Sequence, residues 1–140
     1  MNPLMEKKTL IILILSCLVS LIVFAQKQQN KQRDSIIFSQ LIYDYGEIGA
    51  GSSGRCEFKF INMMNTALVI SNVKPSCGCT VADWPKKPVL PHQTGVIKIY
   101  FNAKLPGTFN KTITVTSNAT NSTVVLHIKG KVILKPDLKH

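Results

Sequence analysis

Two cysteines stand one residue apart in Ser76-Cys77-Gly78-Cys79-Thr80. No other stretch of the chain joins reactive side chains to so unusual a backbone. In an extended strand, residues two apart point to one face with Cα atoms roughly 6.6–7 Å apart. That is at or beyond the ~4.4–6.8 Å a disulfide spans, so a Cys77–Cys79 bond needs the chain folded at Gly78. Glycine allows the fold because it reaches positive φ without a Cβ penalty. The small ring so closed would be readily reduced, which is the property of a thiol redox reagent. Two thiolates on one face would instead suit Cu(I), a soft ion, with Met63, Met64 and His92 as further ligands. A third reading is structural, a small apolar corner. Cys77 and Cys79 are therefore candidate redox or metal residues, with the structural role open beside them. A zinc site would need a second closely spaced pair, and there is none.

The other reactive types are sparse. Beyond the N-terminal segment the histidines are His92, in a turn, His127, alternating with Leu126 and Ile128 and so expected to face solvent, and the terminal His140. Nucleophilic catalysis needs a base held by an orienting group. The few carboxylates, among them Asp44, Glu47, Glu57 and Asp83, form no acid–base pair, and no glycine-rich phosphate loop occurs. The reading is no ordinary enzyme, leaving thiol redox as the residual activity. Trp84, between Asp83 and Pro85 just after the cysteines, is either a surface anchor for a partner or a cover for the core under the proline segment.

The elements that must position these residues have period 2. Ile36 to Tyr43 reads as a first strand, interrupted near Ser39, and Tyr43 to Ile48 leads into a turn at Gly49–Gly54. Cys56, Phe58 and Phe60 alternate with Glu57, Lys59 and Ile61 in a second strand with an aromatic inner face. A turn at Asn62–Thr66 connects it to a third strand with Leu68, Ile70 and Val73. Pro85, Pro88 and Pro91 exclude a central strand there and suggest an extended surface connection. Ile97, Ile99 and Phe101 form the next strand, Phe109–Ser117 a Thr-rich one, and Val124, Leu126 and Ile128 the last, with a bulge expected at Gly130. About seven short strands with a turn every 8–12 residues describe an all-β, immunoglobulin-like β-sandwich.

Ahead of this domain, Lys7 and Lys8 precede an apolar run of 16 residues, Thr9 to Phe24, ending in Val23-Phe24-Ala25. A positive start, a short apolar run and small residues at the cut define a secretory signal peptide. The organisation expected is a signal peptide over 1–25, a flexible leader over 26–35, the sandwich over 36–134 and a tail over 135–140. The protein would then be exported, periplasmic or extracellular, with membrane attachment only if the signal segment stays uncleaved as an anchor. The mature chain keeps 15 basic and 6 acidic residues, net +9. Such a charge favours anionic surfaces, but the lysines are scattered singly on strand faces, which reads as solubility. Export and the lack of an Arg-rich block argue against nucleic acid. The partner expected is an envelope protein or a glycan, with no cofactor unless it is Cu(I). Asp34-Ser35-Ile36 matches a short bacterial O-glycosylation pattern, and equally the edge of a strand.

Outside the cytosol thiols can pair, and Cys56, Cys77 and Cys79 are an odd number. If the second and third strands form a hairpin, Cys56 lies ~20 Å from its turn and Cys77 ~33 Å at ~3.3 Å per residue. That mismatch argues against a bond between them unless the chain bends strongly near Pro75. Cys56 is expected as a free, buried thiol, and any disulfide within the chain as Cys77–Cys79.

The order of motifs resembles one known family. Tyr43-Asp-Tyr-Gly-Glu-Ile48, Phe58-Lys-Phe-Ile-Asn62, Leu68-Val-Ile-Ser-Asn-Val73, Ser76-Cys-Gly-Cys-Thr80, Gly107-Thr-Phe-Asn-Lys-Thr-Ile-Thr-Val115 and Ile128-Lys-Gly-Lys-Val132 follow one another. This is similar to the bacterial domain-of-unknown-function family numbered fifteen-seventy-three, which is similar in turn to immunoglobulin-like domains of cilium and centrosome proteins. The resemblance covers about Ile36 to Val132 and implies an exported immunoglobulin-like module with no assigned activity. His92-Gln93 stands where that family usually has a Gly-Lys turn, and Cys56 where it has a polar residue.

Overall fold

The computed structural model of the protein describes residues 7–20 and 34–134. Residues 7–20 form a helix, α1, which stands by itself as a separate unit from the domain beginning at Asp34. Among the described residues no helix is long and apolar enough to cross a membrane. The end of the apolar run, the Val23-Phe24-Ala25 site, most of the leader and the tail after Leu134 lie outside the described residues.

The domain is all β, with eight strands. They are β1 (Ile36–Phe38), β2 (Ile42–Gly49), β3 (Ser53–Asn62), β4 (Ile70–Pro75), β5 (Thr80–Asp83), β6 (Thr94–Asn102), β7 (Gly107–Ser117) and β8 (Thr123–Ile133). One sheet has the order β1-β3-β6-β5 and the other β2-β8-β7-β4. All neighbours are antiparallel except β2 and β8, which run parallel. Alternation places Cys56, Phe58 and Phe60 of β3, Ile97, Ile99 and Phe101 of β6, Ile113 and Val115 of β7, and Leu126 and Ile128 of β8 in one shared core. Lysines such as Lys59, Lys98 and Lys129 occupy the outward positions between them.

Several expectations are corrected. The first strand is two: β1 lies in one sheet, and after Ser39–Leu41 the chain crosses to the other as β2. Leu68 is outside β4 and forms an isolated bridge with Val89 of the proline segment, pinning that segment to the domain. The bulge is on β2, not at Gly130. Asp44 pairs with Lys129 and Glu47 with Lys131, so Tyr45 and Gly46 together face Gly130. Gly46 takes φ 62° there, and its N–H donates to Asp44 Oδ1 at 2.8 Å. The second and third strands are not a hairpin. β3 pairs with β1 and β6, whereas β4 pairs with β7 in the opposite sheet. Ser35 is buried and its carbonyl accepts from Met63 N–H, so it is not displayed as a glycan acceptor. His127 lies on the outer face of β8, opposite the buried Leu126 and Ile128, and is partly covered there; its N–H donates to Leu41 O at 2.8 Å.

Asparagine side chains tie the connections down. Asn62, fully buried, donates from Nδ2 to Thr66 O and Val89 O and accepts the Met64 N–H. Asn121 pairs with both main-chain groups of Ile36, as a neighbouring strand would. His92 has φ 60°, a left-handed conformation that a Cβ disfavours, and its N–H donates to Asn62 O.

Candidate functional site

The Ser76–Thr80 corner carries the chain from β4 in one sheet to β5 in the other. The corner is closed by a Cys77–Cys79 disulfide, with the two Cα atoms 5.3 Å apart. The fold at Gly78 thus brings the pair well inside the spacing of an extended strand. Both ends of the corner are anchored. Ser76 N–H donates to Thr112 O, Ser76 Oγ accepts from Thr112 N–H, and Cys79 O accepts from Asn102 N–H. Thr80, only 5% exposed, lies under the bond. A disulfide sulfur carries no hydrogen, so the Thr80 hydroxyl is the donor, 3.5 Å from Cys77 Sγ and 3.9 Å from Cys79 Sγ.

A second crossover, Ala103–Pro106, leads from β6 to β7 at the same end of the sandwich. Between the two crossovers is a groove of about 640 Å³, a size typical of ligand sites. Phe101 and Phe109 form its floor, their rings stacked at 4.3 Å between centroids. Tyr45 packs behind both. Gly78 and Cys79 form one wall, and Leu105, 81% exposed, stands at the opposite rim. The charged lining residues are Lys104 and Lys111, with no carboxylate among them. Cys79 lines the groove and Cys77 does not.

Met63, Met64 and His92 are not near this corner. On β6, Thr94 pairs with Ile61 and Phe101 with Thr80, so these residues lie at the other end of the sheet, roughly 20 Å away at ~3.3 Å per residue. Met64 is part of the core. Among the described residues no group of three or more His, Cys, Asp or Glu is placed to hold a metal ion. Trp84 is half-buried against the core, with Lys86 Nζ over its ring, and does not line the groove. Cys56 is a buried free thiol. Burial pushes its pKa up, as it does more strongly for the Tyr45 phenol facing it. The Tyr45 hydroxyl is buried and makes no hydrogen bond of good geometry, so the pair is electrostatic neighbours rather than a formed bond.

The groove residues Leu105, Lys104, Phe109 and Lys111 were not singled out by sequence. One signal was present: Leu105 heads a Pro-Gly turn, where an apolar side chain has no core to join. Which strand ends share the rim depends on crossovers between sheets, and alternation does not encode those.

A family model described as "Protein of unknown function (DUF1573)" matches residues 36–132. No curated protein is similar in sequence. Among solved structures, the chain is similar to a protein of unknown function from Porphyromonas gingivalis W83, at 12% identity and TM-score 0.58, over 69% of this chain and 46% of that one. It is similar to PapD-like domain 7 of human CEP192, at 10% identity and TM-score 0.61, over 74% and 89% of the two chains. It is also similar to the secreted serine protease VesC from Vibrio cholerae, at 11% identity and TM-score 0.56, over 75% of this chain but 24% of that one. The chain thus spans less than half the length of the first and third. At these identities the likeness establishes the fold, an immunoglobulin-like, PapD-like sandwich.

Proposed function

Because the chain belongs to the family described as protein of unknown function DUF1573, a membership that brings no activity with it, we propose its function from its own surface: a non-enzymatic binding module of the cell envelope, holding a segment of another protein in the groove between the two crossovers. The observation that carries this reading is Leu105, 81% exposed above a floor of stacked phenylalanines. Leu105 is the most exposed large apolar side chain among the described residues, ahead of Leu134 at 71% and Leu90 at 64%, and it stands beside an apolar groove, the setting of a contact site. The apolar floor favours a protein segment over a glycan. Lys104 and Lys111, with no facing carboxylate, favour a segment that sets a carboxylate beside a large apolar side chain. The N-terminal apolar segment and the disulfide both support a place outside the cytosol.

Nuclear magnetic resonance titration of the isotope-labelled protein with peptides carrying Leu or Phe next to Glu tests the reading. Shifts are expected at 78–79, 101–102 and 104–111, and Leu105→Asp should abolish them. Equal shifts in Leu105→Asp, or shifts elsewhere on the domain, would overturn it.

A further inference from the structure

The disulfide and the groove share a wall, and the two sulfurs are not equivalent. Both cysteines are half-buried, and of the two only Cys79 lines the groove, so a group bound there meets Cys79 first. Cys77 Sγ is the nearer of the two to the buried Thr80 hydroxyl, at 3.5 Å against 3.9 Å. Lys104 and Lys111 bring positive charge to the same groove, a setting that favours thiolates. One sulfur is thus presented for attack and the other is supported as a leaving group.

We propose that the Cys77–Cys79 bond is a disulfide donor to a dithiol partner that approaches through the groove, with Cys79 as the sulfur attacked and Cys77 as the leaving thiolate. A partner thiolate attacks Cys79 Sγ. The Cys77–Cys79 bond breaks, and its electron pair leaves with Cys77 Sγ, which takes the Thr80 hydroxyl hydrogen bond. The partner's second thiol then loses its proton and attacks the partner sulfur held in the mixed disulfide. That bond breaks, and its electron pair leaves with Cys79 Sγ. The partner is oxidised from dithiol to disulfide, and this protein is reduced from disulfide to two thiols that take up the two partner protons. Thr80 is a positioning residue for the leaving group. A hydrogen bond to an ionised group is about twice as strong as a neutral one, so losing it should slow the first step roughly tenfold. The sulfur chemistry goes beyond the binding reading, and only the approach of a protein partner rests on it.

The test uses the oxidised full-length chain, with acid quenching and residue-by-residue mapping of alkylated thiols. A reduced peptide with two cysteines, a leucine and a glutamate should lose two thiols as Cys77 and Cys79 gain them. Glutathione should be trapped on Cys79, with Cys77 alkylated. Thr80→Val should slow the glutathione step roughly tenfold, and Thr80→Ser should restore it. Leu105→Asp should slow the peptide more than it slows glutathione. Glutathione trapped on Cys77, an unchanged rate in a folded Thr80→Val, or exchange no faster than in an oxidised Ser76–Thr80 peptide would overturn the proposal while leaving the groove reading intact. Should Thr80→Val fail to fold, the position of the trapped glutathione decides alone. An unchanged peptide rate in Leu105→Asp would instead sink the groove as the route of approach.

Discussion

Cys56 and Tyr45 show what burial does to a titratable group. Each sits in the domain with its proton held, because the charged form would lose water and gain no cation. The folded pKa of each is above its ordinary value, 9.0 for the thiol and 10.0 for the phenol. Below those values both states of the chain hold the proton and stability is fully present. Above them the unfolded chain releases protons that the folded chain keeps, so stability falls as pH rises. Denaturant melts from pH 7 to 11 should therefore show a decline beginning near pH 9, and a Tyr45→Phe/Cys56→Ala double variant should show a flatter profile. A parallel pH profile in the variant would mean that the decline comes from other groups. The thiol itself should resist alkylation in the folded protein. Cys56 was legible as a free buried thiol, although the argument for it used a hairpin that does not exist. In the structure it pairs with Ile99 on β6, and Ala82 of β5 lies across the same residue, while Cys77 and Cys79 sit on the crossover beyond.

Among the elements, the strands with the strongest alternation were the most legible. β3, β6 and β7 each bury every second side chain along at least three consecutive alternate positions, and β8 buries Leu126, Ile128 and Val132 on the same face with Gly130 between them, which is what a strand with one wet face requires. β5 was missed because it has four residues, too few to display a period. The bulge was placed one strand away for a related reason. A glycine in a strand marks a close approach, and alternation cannot tell whether the extra residue is beside it or opposite. Here Gly130 is the close approach and Gly46 sits in the bulge. A Cβ on Gly130 would come 2.8 Å from Gly46 O and 3.0 Å from the Phe109 ring. A Cβ on Gly46 would meet nothing within 4 Å, and only its φ of 62° opposes it. Gly130→Ala should cost about 1–3 kcal/mol by overpacking and should push Phe109 into the groove, weakening peptide binding. Gly46→Ala should cost about 1–2 kcal/mol and leave binding unchanged. Denaturant melts paired with the peptide titration separate the two, and equal binding losses would remove the link from bulge to groove floor.

For the whole molecule, the layer architecture was legible and the wiring was not. Seven or eight amphipathic strands with little helix leave a sandwich as the way to bury one face of each. Which strands share a sheet depends on five crossings between the sheets, at Ser39–Leu41, Ala50–Ser52, Met63–Val69, Ser76–Cys79 and Ala103–Pro106. Those crossings are held by main-chain partners and asparagine amides, and no hydrophobic period reports them. Their placement decides whether the disulfide is a staple for the domain. It closes a ring of three residues, so the entropy it removes from the unfolded chain is worth roughly 1.5 kcal/mol. The corner is also held without it, by the Ser76–Thr112 pair and the Cys79–Asn102 bond. Phe58, 0% exposed at the centre of the core, should by contrast cost about 3–5 kcal/mol when cut to Ala. The reduced protein should thus melt cooperatively, roughly 1.5 kcal/mol below the oxidised form, with Phe58→Ala destabilised more than reduction. Melts of the oxidised, reduced and Phe58→Ala proteins in one denaturant series measure the ranking. If reduction unfolds the domain or costs more than Phe58→Ala, the bond is structural, and a cycle of donating it to a partner would dismantle the fold that presents it.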